Sequence, residues 1–389
     1  MYTGPHIIKD GLVFGYDTGY GIADNVTGTR FYPGKPGTNL VTGQATAFSN
    51  WSGLTGTSTY YTTAEGNQGV HLITTSGGGV QFYSSPTITG ISASTQYTIS
   101  ATIKYSGTTP HPNLFYVRQY HNGSQITEGG HFSTGIMVDL GNGWYRAYRT
   151  FTTTSTTSYI NLQGYQYSSG VNLKIQDLQL ELGGLLTPYN GVNGTRSSTA
   201  SLIDLKETTD IDVSNVSFDS TGQPTFDGTS DYIQNSSYTS HQQPTGTLEV
   251  VIKPTIVSGN RYVAGVGGTT TYGASRMIRI NGGTLGIVTY GSSTQDWSGV
   301  TAATVNQYQH VVATWSGTSL QMYVNNVPYS ATRTGVVSPL GTNITMGRPP
   351  WAAGSYYAGS VDIFKHYNKV LSAAEVQQNY NAYKNRFSI

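Results

Sequence analysis

The chain has 389 residues, enough for two or three domains that each bury their own core. Its formal net charge is +1 and only 10% of its residues are charged, which leaves no field to steer nucleic acid or an anionic membrane surface. It has no cysteine, which excludes a disulfide framework and thiolate metal sites.

Abundant Gly, Ser, Thr, Asn and Tyr favour strands and turns, because β-branched and aromatic side chains fit a pleated surface. The same aromatic-rich, charge-poor balance argues against disorder. Met1-Tyr2-Thr3-Gly4-Pro5 carries neither the basic region nor the apolar core of a secretory signal, and no apolar run approaches membrane-spanning length. The expectation is a chain made in a cytoplasm, with no membrane insertion. The first eight residues, "MYTGPHII", offer a short arm that anchors to another protein or frays.

"KDGLVFGYDTGYG" then reads as a short apolar strand, and "RFYPGKPGTNLV" (30–41) is rich in turn formers. A Thr/Ser/Tyr-rich stretch follows, holding Trp51, Tyr60 and Tyr61. In "YTISATIKY", Tyr97, Ile99, Ala101, Ile103 and Tyr105 alternate strictly, the period of a half-buried strand. "LFYVRQYHNG" puts Tyr116, Arg118 and Tyr120 on one strand face and Phe115, Val117 and Gln119 on the other, with His121 at the turn. In "VNLKIQDLQLEL" the apolar phase is odd through Val171, Leu173 and Ile175, then even through Leu178, Leu180 and Leu182. One extra residue near Asp177 produces that change, so a β-bulge or strand break is predicted there.

Farther on, "TLEVVIKP", "QHVVATWSG" and "LQMYVNNVPY" are strands bounded by turn residues, and Asn325-Asn326 tolerates the positive φ of a tight hairpin. The last element is a helix, "LSAAEVQQNYNAYKNRF". Ser372 and Glu375 form a capping box, Leu371 staples onto Val376, and Lys384 and Arg386 complement the dipole in the final turn. Ala373, Val376, Tyr380, Tyr383 and Phe387 recur at spacings of three and four, a stripe to lay on a sheet.

"FDGTSDYI" (226–233), "LEVVIKP", "HVVATWSGTSLQMYVNNVP" and "ITMGRPPWAAGSYYAGSVDIFKHYNKVLSAAEVQQNYNAYKNRF" together resemble a concanavalin-A-like or laminin-G-like jelly roll of the kind found in phage virion proteins. The carrying motifs are Phe226-Asp227-Gly228 with Asp231-Tyr232, the Tyr323-Val324-Asn325 hairpin, and Gly359 followed by "VDIFKHYNKVLSAAEV". Such domains usually begin with a strand like "DGLVFGYD" and a Tyr-Pro-Gly element. Leu12 to Asp17 and Tyr32-Pro33-Gly34 match that start, whereas the continuation appears only near residue 200. The resemblance therefore implies a discontinuous sandwich, 1–36 plus 197–389, around a separate module, 37–196. That module resembles the jelly-roll carbohydrate-binding modules common in phage tail proteins, through "DLGNGWYRAYRTFTTT" (139–154) and "KIQDLQLELGGLLTPYNG" (174–191). An N-terminal arm followed by two consecutive domains is the alternative. The expected fold class is all-β: two jelly-roll β-sandwiches, the concanavalin-A-like one discontinuous, with a single C-terminal α-helix.

Catalysis finds little support. Glycoside hydrolysis needs two carboxylates flanking one bond. The module's five acids, Glu65, Glu128, Asp139, Asp177 and Glu181, are scattered, and the alternating acidic run of sandwich-fold glucanases is missing. No nucleophile elbow, Walker loop or His-Glu-x-x-His motif occurs. His111, His121 and His131 recur at ten-residue intervals but lack ligand spacing. Laminin-G-like and pentraxin-like relatives often hold calcium at a sandwich rim, and "LIDLKETTDIDVSN" gathers Asp204, Glu207, Asp210 and Asp212 as hard oxygen donors. No cofactor is required, and Ca²⁺ is the one candidate; a solvated polar turn is the competing reading of that run.

Sugar sites pair a flat aromatic platform with planar polar side chains, the ring supplying burial and the polar groups orientation. The candidates near the C-terminus are Trp351, Tyr356 and Tyr357 in "RPPWAAGSYYAG", and Asp296 with Trp297 in "GSSTQDWSG". Two prolines before Trp351 stiffen its loop and hold the indole outward, or the ring folds over the sandwich end. In the module the candidates are Trp51, Tyr60, Tyr61, Tyr116, Arg118, Tyr120 and His121, whereas Trp144 resembles the family's structural tryptophan and is assigned to the core. The expectation is a non-catalytic phage virion structural protein, a tail fibre or appendage component, with a host-surface glycan and other virion proteins as partners. The alternative is a decoration protein making only protein–protein contacts, and a polysaccharide depolymerase ranks third. No heptad supplies a coiled coil, so a homo-oligomer would have to use sheet surfaces or the N-terminal arm.

Overall fold

The computed structural model describes residues 6–18, 36–41, 50–52, 56–63, 68–74, 80–83, 87–107, 115–131, 137–166, 170–184, 186–187, 189–190, 194–198, 204–206, 209–219, 223–238, 244–268, 275–290, 295–332 and 341–389. Tyr32-Pro33-Gly34, Glu207 and His111 lie outside the described residues. The chain divides into two compact units, Met1–Tyr20 with Ser198–Ile389 and, between them in sequence, Gly21–Ser197. The fold is all-β, with one helix, Ala373–Phe387, among the described residues.

The first unit is a sandwich of an eight-stranded and a six-stranded sheet. In the larger sheet the strand Leu12–Asp17 pairs antiparallel with Ala358–Tyr367, placing Phe14 opposite His366 and Tyr16 opposite Phe364. Ala358–Tyr367 pairs on with Thr245–Pro254, which pairs with Gln309–Ser316. These strands are buried on both faces, because both faces of the sheet are covered here. One face meets the other sheet: Leu248, Val250 and Ile252 pack with Ala264, Val266, Ile278 and Ile280 in a single core. Phe14 joins that core, its ring 5.5 Å from Phe364 and 6.0 Å from Tyr238.

The opposite face of the eight-stranded sheet lies under the helix. Ser372 caps it and Glu375 completes the capping box, while Leu371 and Val376 share one cluster with Leu12. The buried helix positions are Val376, Asn379, Ala382, Tyr383 and Phe387; Ala373 is exposed and Tyr380 only half-buried, so the stripe read from apolar spacing is rotated. The cause is polar. Asn379 is fully buried, where Nδ2 donates to Glu249 Oε2 (2.9 Å) and to the Tyr367 hydroxyl (3.1 Å), and Oδ1 accepts from the Ile8 amide (2.8 Å). Glu249 also accepts from the Tyr367 hydroxyl (3.1 Å) and lies 2.8 Å from His310 Nε2. Lys365 donates to the Tyr383 hydroxyl in the same layer.

The second unit is also a sandwich. A six-stranded sheet centred on Gln96–Gly107 and Val171–Leu182 faces a five-stranded sheet centred on Tyr159–Gln166, and Ile99, Leu173 and Leu180 share a core with Val117 and Ile160. The predicted irregularity is present: pairing with Gln96–Gly107 slips between Gln176 and Gln179, and Asp177 has φ +54°. The bulge aims the Asp177 carbonyl at the buried Arg146 guanidinium (2.7 Å), which also donates to Thr102 and Ser100. A two-residue ladder joins the unit's entry and exit, with Thr38 opposite Thr195 and Gly37 opposite Arg196. Beside it Arg196 pairs with buried Glu181 (3.5 Å), and Asn190 bridges the two at 2.7 Å to each.

Two predictions follow from the first unit. Phe14→Ala removes a ring that is 1% exposed, so the first unit should lose about 3–5 kcal/mol of unfolding free energy, read from denaturant titration. Burial alone would push the Glu249 carboxyl up, but the His310 hydrogen bond and the Lys365 charge hold it below the ordinary glutamate value. A depressed folded pKa contributes stability above the unfolded value and loses it as pH falls through the folded one. Acidification below the ordinary glutamate range should therefore lower stability, and Glu249→Gln should flatten that limb of the stability–pH curve.

Candidate functional site

The six-stranded sheet of the first unit has one face in the core and one turned away from it. Along that outward face the ladder sets Tyr262 opposite Arg279, Arg279 opposite Gly286, and Gly286 opposite Gly299. Two glycines in succession leave the sheet bare beside Arg279. At Gly299 the bareness is required, since a Cβ would lie 3.2 Å from two atoms of the Trp297 indole and 2.8 Å from Thr284 Cγ2. Trp297 pairs opposite Val288, and its ring lies 4.2 Å from the Arg279 guanidinium. Tyr262 flanks Arg279 at 5.5 Å, and the Tyr262 and Tyr290 hydroxyls are 2.5 Å apart. Trp351 stands edge-on over both tyrosines, 5.6 Å from Tyr262 and 4.7 Å from Tyr290. Tyr262, Arg279 and Tyr290 are buried, and Trp297 and Trp351 are half-buried above them. Met277 and Val288 complete the apolar cluster.

Trp351 and Trp297 are thus brought into one cluster, and the Trp351 ring rests on tyrosines of the sheet rather than projecting freely. Tyr356 is half-buried beside it; its carbonyl accepts from Arg261 Nη1 (2.9 Å), which fixes the loop. Tyr357 is not a surface residue. It is 0% exposed, its ring packs 6.1 Å from Phe226 in the sandwich core, and its hydroxyl donates to the Ser360 carbonyl (3.1 Å). One residue after Tyr356, it has changed face, as an extended backbone requires. The side chain of Asp296 lies outside the described residues.

In the second unit the alternation read from the sequence holds. Val117 and Gln119 are buried, whereas Arg118 and Tyr120 are half-buried on the other face of Phe115–His121. Tyr120 pairs opposite Tyr159 and Arg118 opposite Asn161. The two tyrosine rings stack at 4.9 Å with 6° between planes, a second aromatic patch on that unit. His121 Nε2 lies 3.1 Å from Asn122 Nδ2 at the hairpin tip. Tyr60 is exposed and Tyr61 half-buried, its hydroxyl donating to Gln176 (2.9 Å). The side chains of Trp51, Tyr116 and His131 lie outside the described residues. Trp144 does not enter the core: it is half-buried under the Lys104 ammonium (5.7 Å), because Tyr145, Ala147 and Phe151 take the inward positions of its strand.

Two carboxylates of the acidic run, those of Asp204 and Asp212, accept from backbone amides. Buried Asp204 accepts from the amides of Gly15 (2.8 Å) and Lys206 (3.1 Å). Asp212 accepts from the Ser214 amide (2.9 Å), and a hydrogen bond from Ser198 helps hold its carboxyl below the usual range. Asp210 is exposed, and its carbonyl accepts from Asn235. Among the described residues no three His, Asp or Glu side chains gather as metal ligands.

Residues 227–377 match the family model of the Concanavalin A-like lectin/glucanases superfamily, and this part of the chain is a domain of that type. No curated protein matches the chain. Among solved structures it is similar to the CBM40 module of the Ruminococcus gnavus IT-sialidase bound to α2,3-sialyllactose (16% identity, 34% of this chain and 80% of that one, TM-score 0.31). It is similar, too, to a heptameric SAP-like pentraxin from Limulus polyphemus (16% identity, 39% and 78%, TM-score 0.31). A third likeness is to the receptor-binding domain of botulinum neurotoxin type G (12% identity, 46% and 48%, TM-score 0.38).

Tyr262, Arg279, Tyr290 and Tyr159 escaped the reading of the sequence. The available signal was "SRMIRIN", where Arg279 interrupts an apolar strand and so demands compensation from a neighbouring strand. A Tyr357→Phe variant should lose about 1 kcal/mol of stability in a denaturant titration, the worth of one buried hydroxyl hydrogen bond, and leave the Trp297 and Trp351 fluorescence unchanged.

Proposed function

We propose that the chain is a non-catalytic carbohydrate-binding protein, and that the first unit takes its glycan on the outward face of the six-stranded sheet. The observation that carries this is the pair of half-buried tryptophans, Trp297 and Trp351, mounted over a floor of Tyr262, Arg279 and Tyr290. Indole faces cover the C–H surfaces of sugars, while the tyrosine hydroxyls and the guanidinium supply fixed hydrogen bonds for orientation. The lectin-type superfamily match over residues 227–377 agrees with that chemistry. The Tyr120–Tyr159 stack with Arg118 and Asn161 offers the second unit a platform of the same kind.

Binding without cleavage is favoured by the fate of the acids. Glu249 is locked under the helix, Asp204 and Asp212 serve backbone amides, and Glu181 is tied to Arg196. The setting we propose is a phage virion, on a tail fibre or other appendage facing host-surface carbohydrate; its support is the resemblance carried by "VDIFKHYNKVLSAAEV" and the Phe226-Asp227-Gly228 motif. Other virion proteins are then its neighbours.

The full chain on an array of bacterial surface polysaccharides should bind a subset of them. Trp351→Ala and Trp297→Ala should each weaken that binding about tenfold or more, without a matching fall in thermal stability. Failure to bind any glycan overturns the reading. Release of oligosaccharide during incubation would replace binding by depolymerisation.

A further inference from the structure

Arg279 is 4% exposed in the middle of Ser275–Asn281. Among the described residues its guanidinium makes one hydrogen bond, from Nη1 to the Tyr262 hydroxyl at a long 3.3 Å; Nε has no partner, and no carboxylate pairs with it. The remaining contacts are the ring faces of Trp297 and Tyr262. Two other buried arginines, Arg146 and Arg196, are treated differently. Arg146 donates three hydrogen bonds, and Arg196 has Glu181 as its counter-ion. A guanidinium offers five donors in a rigid fork and cannot shed its charge, so burying one with a single weak acceptor is costly. Ring faces offset part of that cost and leave the planar edge unused.

We propose that the glycan taken by this face is an acidic one, whose carboxylate pairs with Arg279 while its sugar ring lies against Trp297 and Trp351; this rests on the carbohydrate reading above. A carboxylate is planar and acceptor-only, the complement of the fork, and a charge-assisted pair of this kind is stronger and more directional than neutral hydrogen bonds. The Tyr262 and Tyr290 hydroxyls, 2.5 Å apart, supply further hydrogen bonds beside it. Gly286 and Gly299 put no side chain next to the guanidinium, and the Trp297 indole lies over Gly299 in the space this leaves. A single buried cation framed by aromatic rings suits the carboxylate of one sugar unit, whereas a nucleic-acid or heavily sulfated backbone would need a basic stripe, and the net charge of +1 provides none.

The test is a binding assay of the full chain against polygalacturonate, alginate, hyaluronate and polysialic acid, each alongside its carboxyl-reduced form, and against neutral polysaccharides. At least one acidic glycan should bind, with carboxyl reduction weakening it about tenfold or more. Arg279→Gln should abolish the difference between the acidic and reduced forms, and Arg279→Lys should keep part of it, with thermal unfolding as the check on folding. Equal binding of acidic and reduced forms, or binding of neutral glycans alone, overturns the proposal and leaves the carbohydrate reading standing. Binding to no glycan at all removes both. Should Arg279→Gln fail to fold, the comparison of acidic and reduced forms on the unaltered chain still decides.

Discussion

The first unit depends on the pairing of Leu12–Asp17 with Ala358–Tyr367, which brings together residues at opposite ends of the sequence. This strand contributes to three layers at once. Phe14 and Tyr16 enter the sandwich core, and Leu12 turns to the cluster under the helix. Asp17 accepts from Arg386 at the helix's last turn (2.7 Å), and just before the strand the Ile8 amide reaches Asn379. Removing the strand would strip one edge from the core and one wall from the helix seat. Closing so long a loop is less costly than its length suggests, because the entropy grows only with the logarithm of loop length. The ladder of Gly37–Thr38 with Thr195–Arg196 shortens the effective loop further, since it holds the second unit's two ends side by side.

The helix seat shows why a buried polar layer can specify a helix's rotation. An apolar stripe alone would let the helix roll by a few tens of degrees at small cost, because neighbouring apolar positions are nearly interchangeable. Glu249 removes that freedom. A fully buried carboxylate must be satisfied, and only one rotation brings Asn379 within reach of both Glu249 and the Tyr367 hydroxyl. The same layer occupies the outer face of the eight-stranded sheet. The aromatic cluster of the first unit lies instead on the outer face of the six-stranded sheet.

What was legible in the sequence follows from the range of the interactions involved. The bulge at Asp177, the Asn325-Asn326 turn with φ +48° and +65°, and the Ser372–Glu375 capping box are local devices, written in neighbouring residues. The all-β architecture was readable from alternation. The two tryptophans were named as site residues, but the Tyr262–Arg279–Tyr290 floor beneath them was not. Its members come from three strands whose register is set by tertiary pairing, and a one-residue slip would send each to the core. Tyr357 and Trp144 were misplaced for the same reason. Which of two adjacent residues faces inward is decided by strand phase, and neither tyrosine content nor a short motif reports phase.

The arrangement around Arg279 can be set against that around Arg276, three residues earlier on the same strand. Arg276 points into the sandwich, where its guanidinium lies 4.4 Å from Trp315, and Trp315 stacks on His366, whose Nδ1 is 2.8 Å from the Tyr238 hydroxyl. One strand therefore drives an arginine through each of its faces, and both cations meet an indole. Inside, between two sheets, such a stack is enclosed on every side and can only stabilise and specify packing. Outside, the covering side chains are two half-buried tryptophans on separate elements, the strand Gln295–Ala302 and the loop before Ala358. No second sheet encloses the outer arginine, which is why the proposed glycan carboxylate is assigned to it and not to Arg276. Strand phase decides which of the two arginines is enclosed between the sheets and which lies under the tryptophans.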